Sequence, residues 1–326
     1  MVRIFVYESL SAGTPDAPGG LDHELLAAGV AMRNAIVDDL LRIDGVAVTC
    51  AVGAAPGCGA LRRRAAANLR TAAARAGEDA ETFVGRMAAM HDLAWVVAPE
   101  TGGQLARLHA VVGGDRWIGC DAASIRRAAS KRATLAVLAA AGVPTPLDGA
   151  ASHRGRWLVK PDDGAGCLST RVHGDRATAL DHLDGDMLAL EPYIEGEALS
   201  VSMIVGADLA RAISFNRQHI GIDAAGRLRD LGVEIGALDA ATDSRIARLE
   251  ALAAATARAL PGLGGFVGVD VVWNEERGAV VIEVNPRVTC AYVGLSDRLG
   301  RNLAADIVRL KTVGATTRGS RDGVRA

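Results

Sequence analysis

The stretch FVGVDVVWNEERGAVVIEVNPRVT, residues 266–289, consists of two apolar runs separated by a short polar turn. A hairpin that turns over Asn274 to Gly278 places Asp270 opposite Glu283. Like charges that face each other destabilise a sheet, and at about 4 Å with an effective dielectric near 20 the repulsion is about 4 kcal/mol. A positive group is therefore expected between these two carboxylates.

The second strand of this hairpin carries its polar residues on one face. Glu283 and Asn285 are two residues apart, so both side chains point the same way, and Pro286 ends the strand. Gly268 lies opposite Asn285 and leaves space beside it. Two carboxylates and an amide oxygen predict a magnesium site at Asp270, Glu283 and Asn285. The alternative is a polar edge hairpin with its acids in water.

Composition excludes several classes of function. The net charge is -2, and 4 Trp, 3 Tyr and 4 Phe are too few for a basic surface with stacking platforms, which argues against nucleic-acid binding. The chain has no run of 18 apolar residues and its first residues show no signal pattern, so we expect a cytoplasmic protein with no membrane partner.

The order of elements predicts an α/β fold. The first third alternates strands and helices, which is typical of a parallel sheet that binds its substrate at the carboxyl ends of the strands: strands at 2–8, 45–50 and 93–100, and helices at about 23–42 and 60–76. A boundary follows near Asp121. Beyond it we expect a helix capped by Ser130, short strands from 156 to 236, and a helix at about 243–259. The residues from 315 to 326 lack apolar periodicity and predict a disordered tail.

A second motif, WLVKPDDGAGCLSTRV at 157–172, reads as a strand followed by a glycine-rich turn. Glycines allow backbone amides to approach an anion closely, and Lys160 at the strand end supplies a charge for phosphate. Arginine outnumbers lysine 33 to 3, so a lysine at this point is notable. The alternative is an ordinary hairpin with a solvated lysine.

A third motif, MLALEPYIEGEALSVSMIV at 187–205, runs from an apolar strand into a bend. Backbone groups near Glu191, Tyr193 and Ile194 are placed to bind a purine edge, and Glu195 and Glu197 are candidates for ribose hydroxyls. Solvated acids in a turn are the alternative. Other nucleotide and hydrolase signatures are missing, including G-x-G-x-x-G after the first strand, which argues against a dinucleotide-dependent oxidoreductase.

Polar residues also follow two strands of the predicted parallel sheet. Glu8, Ser9 and Ser11 end the first strand, and Glu100 and Thr101 end another, where a substrate is expected. Glu100 is the candidate for an amine contact, with a helix cap as the alternative.

The chain resembles the ATP-grasp superfamily of carboxylate–amine ligases over about residues 120–312. The resemblance rests on six residues in this order: Lys131, Lys160, Glu191, Asp270, Glu283 and Asn285. The most specific phrase is VIEVNPR at 281–287. The resemblance implies a parallel-sheet α/β domain at 1–122 and a two-lobed ATP-grasp domain, an α+β fold, at 123–314. Its small lid lobe is expected at about 123–187 and its catalytic lobe at about 188–314.

The resemblance also implies roles for residues. Lys131 and Lys160 contact ATP phosphates, and the turn from Asp162 through Gly164 to Gly166 closes over them. Glu191, Tyr193 and Ile194 hold adenine, while Asp270, Glu283 and Asn285 bind two magnesium ions, with Mn²⁺ as an alternative. Arg287 joins Lys160 as a catalytic residue that steadies the transferred phosphoryl group. The superfamily often places its ribose acid where this chain has Ala198, so Glu197 takes that role only with a shift of one residue.

Within the superfamily, four phrases look like the tyramine–glutamate ligases of methanofuran biosynthesis: RIFVYESLSAG, VVAPETGG, FNRQHI and NPRVTCAYVGLS. This implies an acyl phosphate formed on the γ-carboxyl of glutamate, with tyramine as the amine. Asn216 and Arg217, in FNRQHI, are then substrate candidates. The alternatives are another amino-acid or dipeptide ligase of this fold, or a nucleotide-binding regulator without turnover. A homodimer is common in the superfamily, and no feature of the sequence decides it.

Overall fold

The computed structural model describes residues 1–13, 23–53, 66–164, 166–183, 185, 187–239 and 241–322, with the backbone alone for 313–322. The chain divides into two compact units. The first comprises Met1–Pro99, Gln104–Ala122 and Arg287–Ala326, and the second Glu100–Gly103 and Ala123–Pro286. The described residues from Arg287 onward thus group with the first unit, whereas the sequence predicts 287–314 as part of the ATP-grasp domain.

Over its described residues, the first unit has a parallel sheet in the order β3-β2-β1-β4. Central strands of such a sheet are buried on both faces and read as continuous apolar runs, as Ile4 to Tyr7 do here. The predicted α/β class is confirmed. The strands are β1 (Val2–Glu8), β2 (Val46–Ala51), β3 (Leu69–Ala72) and β4 (Leu93–Val97), and the helices are α1 (His23–Leu41), α2 (Ala80–Ala89) and α3 (Gln104–Val112).

The helix predicted at 60–76 is wrong over its described part. Leu69–Ala72 forms β3, which pairs in parallel with β2, and residues 60–65 lie outside the described residues. Alanine and arginine favour a helix locally, but pairing with the edge of an existing sheet outweighs that small preference.

The C-terminal segment is held in the first unit by a buried carboxylate. Asp39 on α1 is 3% exposed and accepts hydrogen bonds from the Tyr292 hydroxyl at 2.7 Å and the Ser296 hydroxyl at 2.5 Å. Burial first, and the Asp39 charge second, raise the pKa of Tyr292 well above its usual value. Ser296 lies in the short helix α8 (Leu295–Arg298), and the longer helix α9 (Leu303–Asp322) follows it. The predicted tail is helical as far as Asp322, because helical hydrogen bonds are local and need no apolar stripe.

Asp39→Ala is expected to lower the free energy of unfolding by about 3 kcal/mol, since it leaves two buried hydroxyls without their charged acceptor. The matched control is Asp297→Ala. Both acids pair with Arg42, but the Asp297 side chain is 78% exposed, so its loss is expected to cost less than about 1 kcal/mol. An equal loss of unfolding free energy in the two variants, measured by urea unfolding, would contradict the anchoring role of Asp39.

The second unit begins with two helices and a small antiparallel sheet in the order β6-β5-β7. The strand that follows the predicted lobe boundary at 187/188 pairs with β5 and belongs to the small sheet. The elements are α4 (Ala122–Ala129), α5 (Lys131–Ala140), β5 (Trp157–Pro161), β6 (Arg171–His173), α6 (Arg176–Leu180) and β7 (Leu188–Pro192).

The larger sheet of this unit is antiparallel, in the order β10-β9-β8-β11-β12. Its last two strands form the predicted hairpin: Asp270 pairs with Glu283, Gly268 with Asn285, and Asn274 with Gly278. The elements are β8 (Glu197–Gly206), β9 (Leu209–Ile222), β10 (Leu228–Glu234), α7 (Ile246–Ala259), β11 (Gly265–Asn274) and β12 (Gly278–Asn285). In the part of the chain that the structure describes, no helix combines the length and apolarity needed to cross a bilayer.

Candidate active site

The two carboxylates of the hairpin lie beside a lysine and an amide. Lys131 Nζ is 3.2 Å from Glu283 Oε1, and Asn285 Nδ2 donates to Asp270 Oδ2 at 3.0 Å. In this structure Lys131, at the first turn of α5, places a positive group beside Glu283. Among the described residues no cluster of three or more His, Cys, Asp or Glu side chains could hold a metal ion. The candidate cation site instead combines two acids with an amide.

Lys131 also joins the hairpin to the glycine-rich turn, the residues between β5 and β6. Its ammonium donates to the Gly164 carbonyl oxygen, and its side chain is only 7% exposed. One lysine therefore contacts both the turn that is predicted to cover phosphates and a predicted metal ligand. A charge in this position would be attracted to any anion that enters between turn and sheet.

Asp162 anchors the glycine-rich turn to α5 rather than pointing at a ligand. Its Oδ1 accepts from the Arg132 amide at 2.8 Å and its Oδ2 from the Ser130 hydroxyl at 2.7 Å, while Ser130 caps α5 as predicted. A carboxylate at a helix N-terminus is stabilised by the helix dipole. The side chain of Asp162 is thus already engaged, which argues against its predicted contact with nucleotide.

Lys160 and Glu191 form a buried ion pair. Lys160 lies on β5 and Glu191 on the adjacent β7, with 2.7 Å between Nζ and Oε1, and the two residues are 4% and 3% exposed. A pair buried this deeply is costly to desolvate unless other groups complete its hydrogen bonds. Both residues are candidates from the sequence, but their contact with each other joins two separate strands and has no sequence signal.

The bend after β7 has its backbone partly engaged. The Tyr193 amide donates to the Arg156 carbonyl at 2.9 Å, and the Arg156 guanidinium lies 4.5 Å from the centre of the Tyr193 ring. Ile194 is 8% exposed. The backbone donor of Tyr193 is therefore not free for a purine, so a contact with adenine at this bend has to use other atoms.

A neutral thiol lies in the glycine-rich turn, where Gly166 is exposed and has a φ of 67°. Burial raises the pKa of Cys167 to about 12, with further contributions from the charges of Asp230, Asp270 and Glu283, and Lys160 opposes them. The raised pKa makes the Cys167 thiol a weaker acid than a free cysteine and therefore a poorer nucleophile.

The glycine-rich turn is fastened to the β9–β10 hairpin by backbone hydrogen bonds. The Leu228 amide donates to Thr170 O at 3.0 Å, and the Val172 amide donates to Gly226 O at 2.8 Å. Gly226 has a φ of 79°, and a Cβ there would collide with the Val172 carbonyl oxygen. This close approach requires glycine.

Gly226→Ala is expected to release the glycine-rich turn and to accelerate amide hydrogen exchange over residues 166–172. The control is Gly232→Ala on β10, which also has a positive φ, 109°, but no heavy atom within 4 Å of an added Cβ. Both substitutions place an alanine at a positive φ, which costs about 1–2 kcal/mol of stability. Only the Gly226 substitution also makes the new Cβ collide with the Val172 carbonyl oxygen. Equal exchange rates in the two variants would show that the fastening does not depend on Gly226.

Glu197, which has a predicted ribose role, lies on the other face of β8 from Ser200, the residue that pairs with Asp270. Successive residues of a strand point to opposite faces, and Ser200, which pairs with Asp270, shares its face with Ala198 rather than Glu197. Glu197 instead forms ion pairs with Arg217 and Arg245. Burial raises the pKa of Glu197, but these hydrogen bonds outweigh it and hold the pKa below its usual value. Arg217 is thus also engaged in this network, where it pairs with Glu234 at 3.0 Å.

Asn216, a substrate candidate, lies inside a saturated polar cluster and is 0% exposed. Its oxygen accepts from the Ser214 hydroxyl at 2.6 Å and the Gly236 amide at 3.0 Å, and its nitrogen donates to Ser202 Oγ at 3.1 Å and Ser200 Oγ at 3.2 Å. No group is left for a substrate. The sequence signal for such a cluster is the alternation of polar residues at Ser214, Asn216 and Gln218 on β9.

The strand-end candidates are also largely committed to the protein. Glu8 is 2% exposed and accepts from the amides of Leu10 at 3.1 Å and Ser11 at 2.7 Å, while Ser9 is 5% exposed. Burial raises the pKa of Glu8, against the effect of these hydrogen bonds and of the Arg33 charge. Glu8 therefore shapes the loop after β1, and its predicted contact with substrate is not supported.

Two further candidates belong to the second unit. Glu100 is 4% exposed, and its carbonyl accepts from the Gly103 amide at 2.9 Å. The Thr101 hydroxyl donates to the Asp163 carbonyl at 3.0 Å, and the Gly102 amide donates to Asp163 Oδ2 at 2.8 Å, so this loop contacts the glycine-rich turn. Arg287 follows the hairpin, and the C-terminal segment that groups with the first unit begins at this residue. Its guanidinium donates to the Val288 carbonyl at 3.3 Å.

Comparison with known proteins identifies similar chains. The chain is 32% identical to a tyramine–L-glutamate ligase of Methanocaldococcus jannaschii over 207 residues, which are 63% of this chain and 58% of that protein. An ATP-grasp superfamily protein from Archaeoglobus fulgidus is similar in structure, with a TM-score of 0.67 at 19% identity over 94% of this chain and 88% of that chain. A D-alanine–D-alanine ligase from Bacillus anthracis complexed with ATP has a TM-score of 0.65 at 15% identity over 98% and 100%.

Two family models match consecutive parts of the sequence. The pre-ATP-grasp domain matches residues 60–125, and the ATP-grasp domain matches residues 128–291. The second match contains both lysines, the glycine-rich turn and the carboxylate hairpin that the structure brings together. The chain therefore belongs to the ATP-grasp family.

Proposed function

We propose that this protein is an ADP-forming ligase that uses ATP to join a carboxylate to an amine through an acyl phosphate. The observation that carries the proposal is the position of Lys131, which contacts both the glycine-rich turn at Gly164 and the carboxylate hairpin at Glu283. A lysine, a glycine-rich turn and facing carboxylates are parts that suit phosphoryl transfer. Membership of the ATP-grasp family supports the proposal.

Nucleotide binding is assigned to the two lysines and the bend. Lys131 and Lys160 are proposed to meet phosphates, as charged hydrogen bonds worth about 1.5 to 3 kcal/mol each. Both are buried and paired with acids, so they are already positioned before the nucleotide binds. Adenine is assigned to the bend from Glu191 to Ile194.

The donors on the hairpin fit magnesium. Asp270, Glu283 and Asn285 carry hard oxygen atoms, and the ion pair between Lys131 and Glu283 supports a cation site at this point. We assign these residues as ligands of two magnesium ions, with Mn²⁺ as an alternative. Bound there, magnesium would neutralise charge on the phosphate oxygens.

The chain's own residues do the rest by positioning and by charge. A carboxylate and a triphosphate repel each other, and the lysines reduce that repulsion. The turn fastened at Gly226 excludes water, which would otherwise hydrolyse an acyl phosphate. Arg287 is proposed to steady the transferred phosphoryl group because it follows Asn285 by two residues.

For the substrates we propose the γ-carboxyl of L-glutamate and tyramine, in the synthesis of a methanofuran-type cofactor. The similarity to a tyramine–L-glutamate ligase supports this choice. The chain matches 58% of the length of that relative, at 32% identity. Small-molecule partners, a cytoplasmic location and a homodimer complete the proposal.

The test is product analysis with purified protein, ATP, Mg²⁺, L-glutamate and tyramine, using mass spectrometry and nucleotide chromatography. We expect ADP, phosphate and a glutamyl-tyramine amide in equal amounts. Phenethylamine, which lacks the phenol, and D-alanine are the matched alternative substrates. An amide only with D-alanine would point to a dipeptide ligase, and no ADP with any mixture would favour a regulator without turnover.

A further inference from the structure

Polar residues form two adjacent rows across the larger sheet. Residues that pair directly across antiparallel strands share a face, and the register links four strands in this way. One row contains Glu283, Asp270, Ser200 and Asn216, and the next contains Asn285, Gly268, Ser202 and Ser214. The hairpin carboxylates are therefore one end of a polar face that continues onto β8 and β9.

Gln218 extends this face by one more position on β9. It lies two residues beyond Asn216, so it shares that face, and its Nε2 donates to Asp270 Oδ1 at 3.1 Å. β9 and β11 are separated by β8 and lie about 10 Å apart, so the Gln218 and Asp270 side chains together bridge β8. Since Leu199 pairs with Arg217, the residue of β8 beside Gln218 is Ala198, whose methyl group leaves the path open.

The Asp270 carboxylate is consequently held at both oxygens by amides. Gln218 donates to Oδ1 and Asn285 donates to Oδ2 at 3.0 Å. Two donors on opposite oxygens fix the plane of a carboxylate, which a single donor does not. Groups that orient a metal ligand in this way typically change metal affinity about 10- to 100-fold when removed.

We propose that Gln218 is a positioning residue that sets the Asp270 carboxylate for divalent cation binding. This inference rests on the proposed magnesium role of the hairpin. It assigns to β9 a contribution that the three ligand residues alone do not provide. It also accounts for a small residue at position 198, because a longer side chain there would obstruct Gln218.

The test compares Mn²⁺ binding by water-proton relaxation, with saturating AMP-PNP, in four proteins. Gln218→Met keeps the length of the side chain and removes the donor, and His219→Ala changes the next residue, which is exposed and on the opposite face. Glu283→Gln removes a proposed ligand. We expect the Mn²⁺ dissociation constant to rise about 10-fold or more for Gln218→Met, further for Glu283→Gln, and not for His219→Ala.

Two outcomes would overturn the inference, and they are distinguishable. Wild-type affinity in Gln218→Met with weakened binding in Glu283→Gln removes the role of Gln218 and leaves the proposed function standing. Wild-type affinity in both variants removes the cation site itself. A purely structural role for Gln218 would instead lower the melting temperature without metal and leave the Mn²⁺ dissociation constant unchanged.

Discussion

Glu283→Ala is expected to reduce ATP-dependent amide formation by about 100- to 1,000-fold and to leave the protein folded. The proposed metal loses a carboxylate ligand, and a loss of about 3–4 kcal/mol of transition-state stabilisation corresponds to that range. The fold tolerates the change because the Glu283 side chain is 21% exposed and faces another carboxylate. Removal of a like charge opposite Asp270 relieves repulsion in the sheet.

The control is Glu276→Ala, in the exposed turn of the same hairpin. This substitution removes one negative charge from the same hairpin at a position outside the site. The rate of amide formation by Glu276→Ala is therefore expected to match that of the wild type. The measurement is ADP and amide formation under saturating substrates, together with thermal unfolding of both variants. Full activity in Glu283→Ala would remove the hairpin from the mechanism.

Lys160→Met is expected to have two separable effects, on stability and on nucleotide use. It leaves Glu191 buried and unpaired, which typically costs about 3–5 kcal/mol of unfolding free energy. It also removes a charge assigned to phosphate, so the KM for ATP is expected to rise. The double variant Lys160→Met/Glu191→Leu removes both charges, and we expect it to recover most of the stability and none of the nucleotide affinity.

Lys311→Met is the matched control for Lys160→Met. Lys311 donates to the Gly114 carbonyl at 2.6 Å at an exposed position of the first unit. Its loss is expected to change neither ATP kinetics nor unfolding by more than about 1 kcal/mol. Wild-type nucleotide kinetics in a folded Lys160→Met would refute the phosphate role, whatever the stability shows.

The hairpin shows what a sequence predicts well. A short turn fixes the register of two strands, so the pairing of Asp270 with Glu283 and of Gly268 with Asn285 follows from counting outward from Asn274 and Gly278. The cap at Ser130 is equally local, because it depends on residues within one helical turn. These features need no knowledge of distant parts of the chain.

Other features depend on contacts between segments that are distant in sequence, and these are not predicted well. β3 forms because β2 offers an edge, although Leu69–Ala72 itself favours a helix. Asn216 resembles a ligand in sequence, but it is buried and bonds to Ser200, Ser202 and Gly236, which lie on other segments. Glu197 lies on the face of β8 away from Asp270, because a shift of one residue along a strand reverses the face. The contacts of Lys131 with Gly164 and Glu283 also join residues far apart in sequence.

In the proposed reaction the carboxylate attacks ATP before the amine attacks the carbonyl, and the fate of the carboxylate oxygens reports this order. With L-glutamate labelled with ¹⁸O in its γ-carboxyl, tyramine, ATP and Mg²⁺, the carboxylate oxygen that bonds to phosphorus leaves with phosphate when the amide forms. We predict one ¹⁸O in each phosphate released per amide, together with ADP. Unlabelled phosphate, or release of AMP and pyrophosphate, would contradict the account.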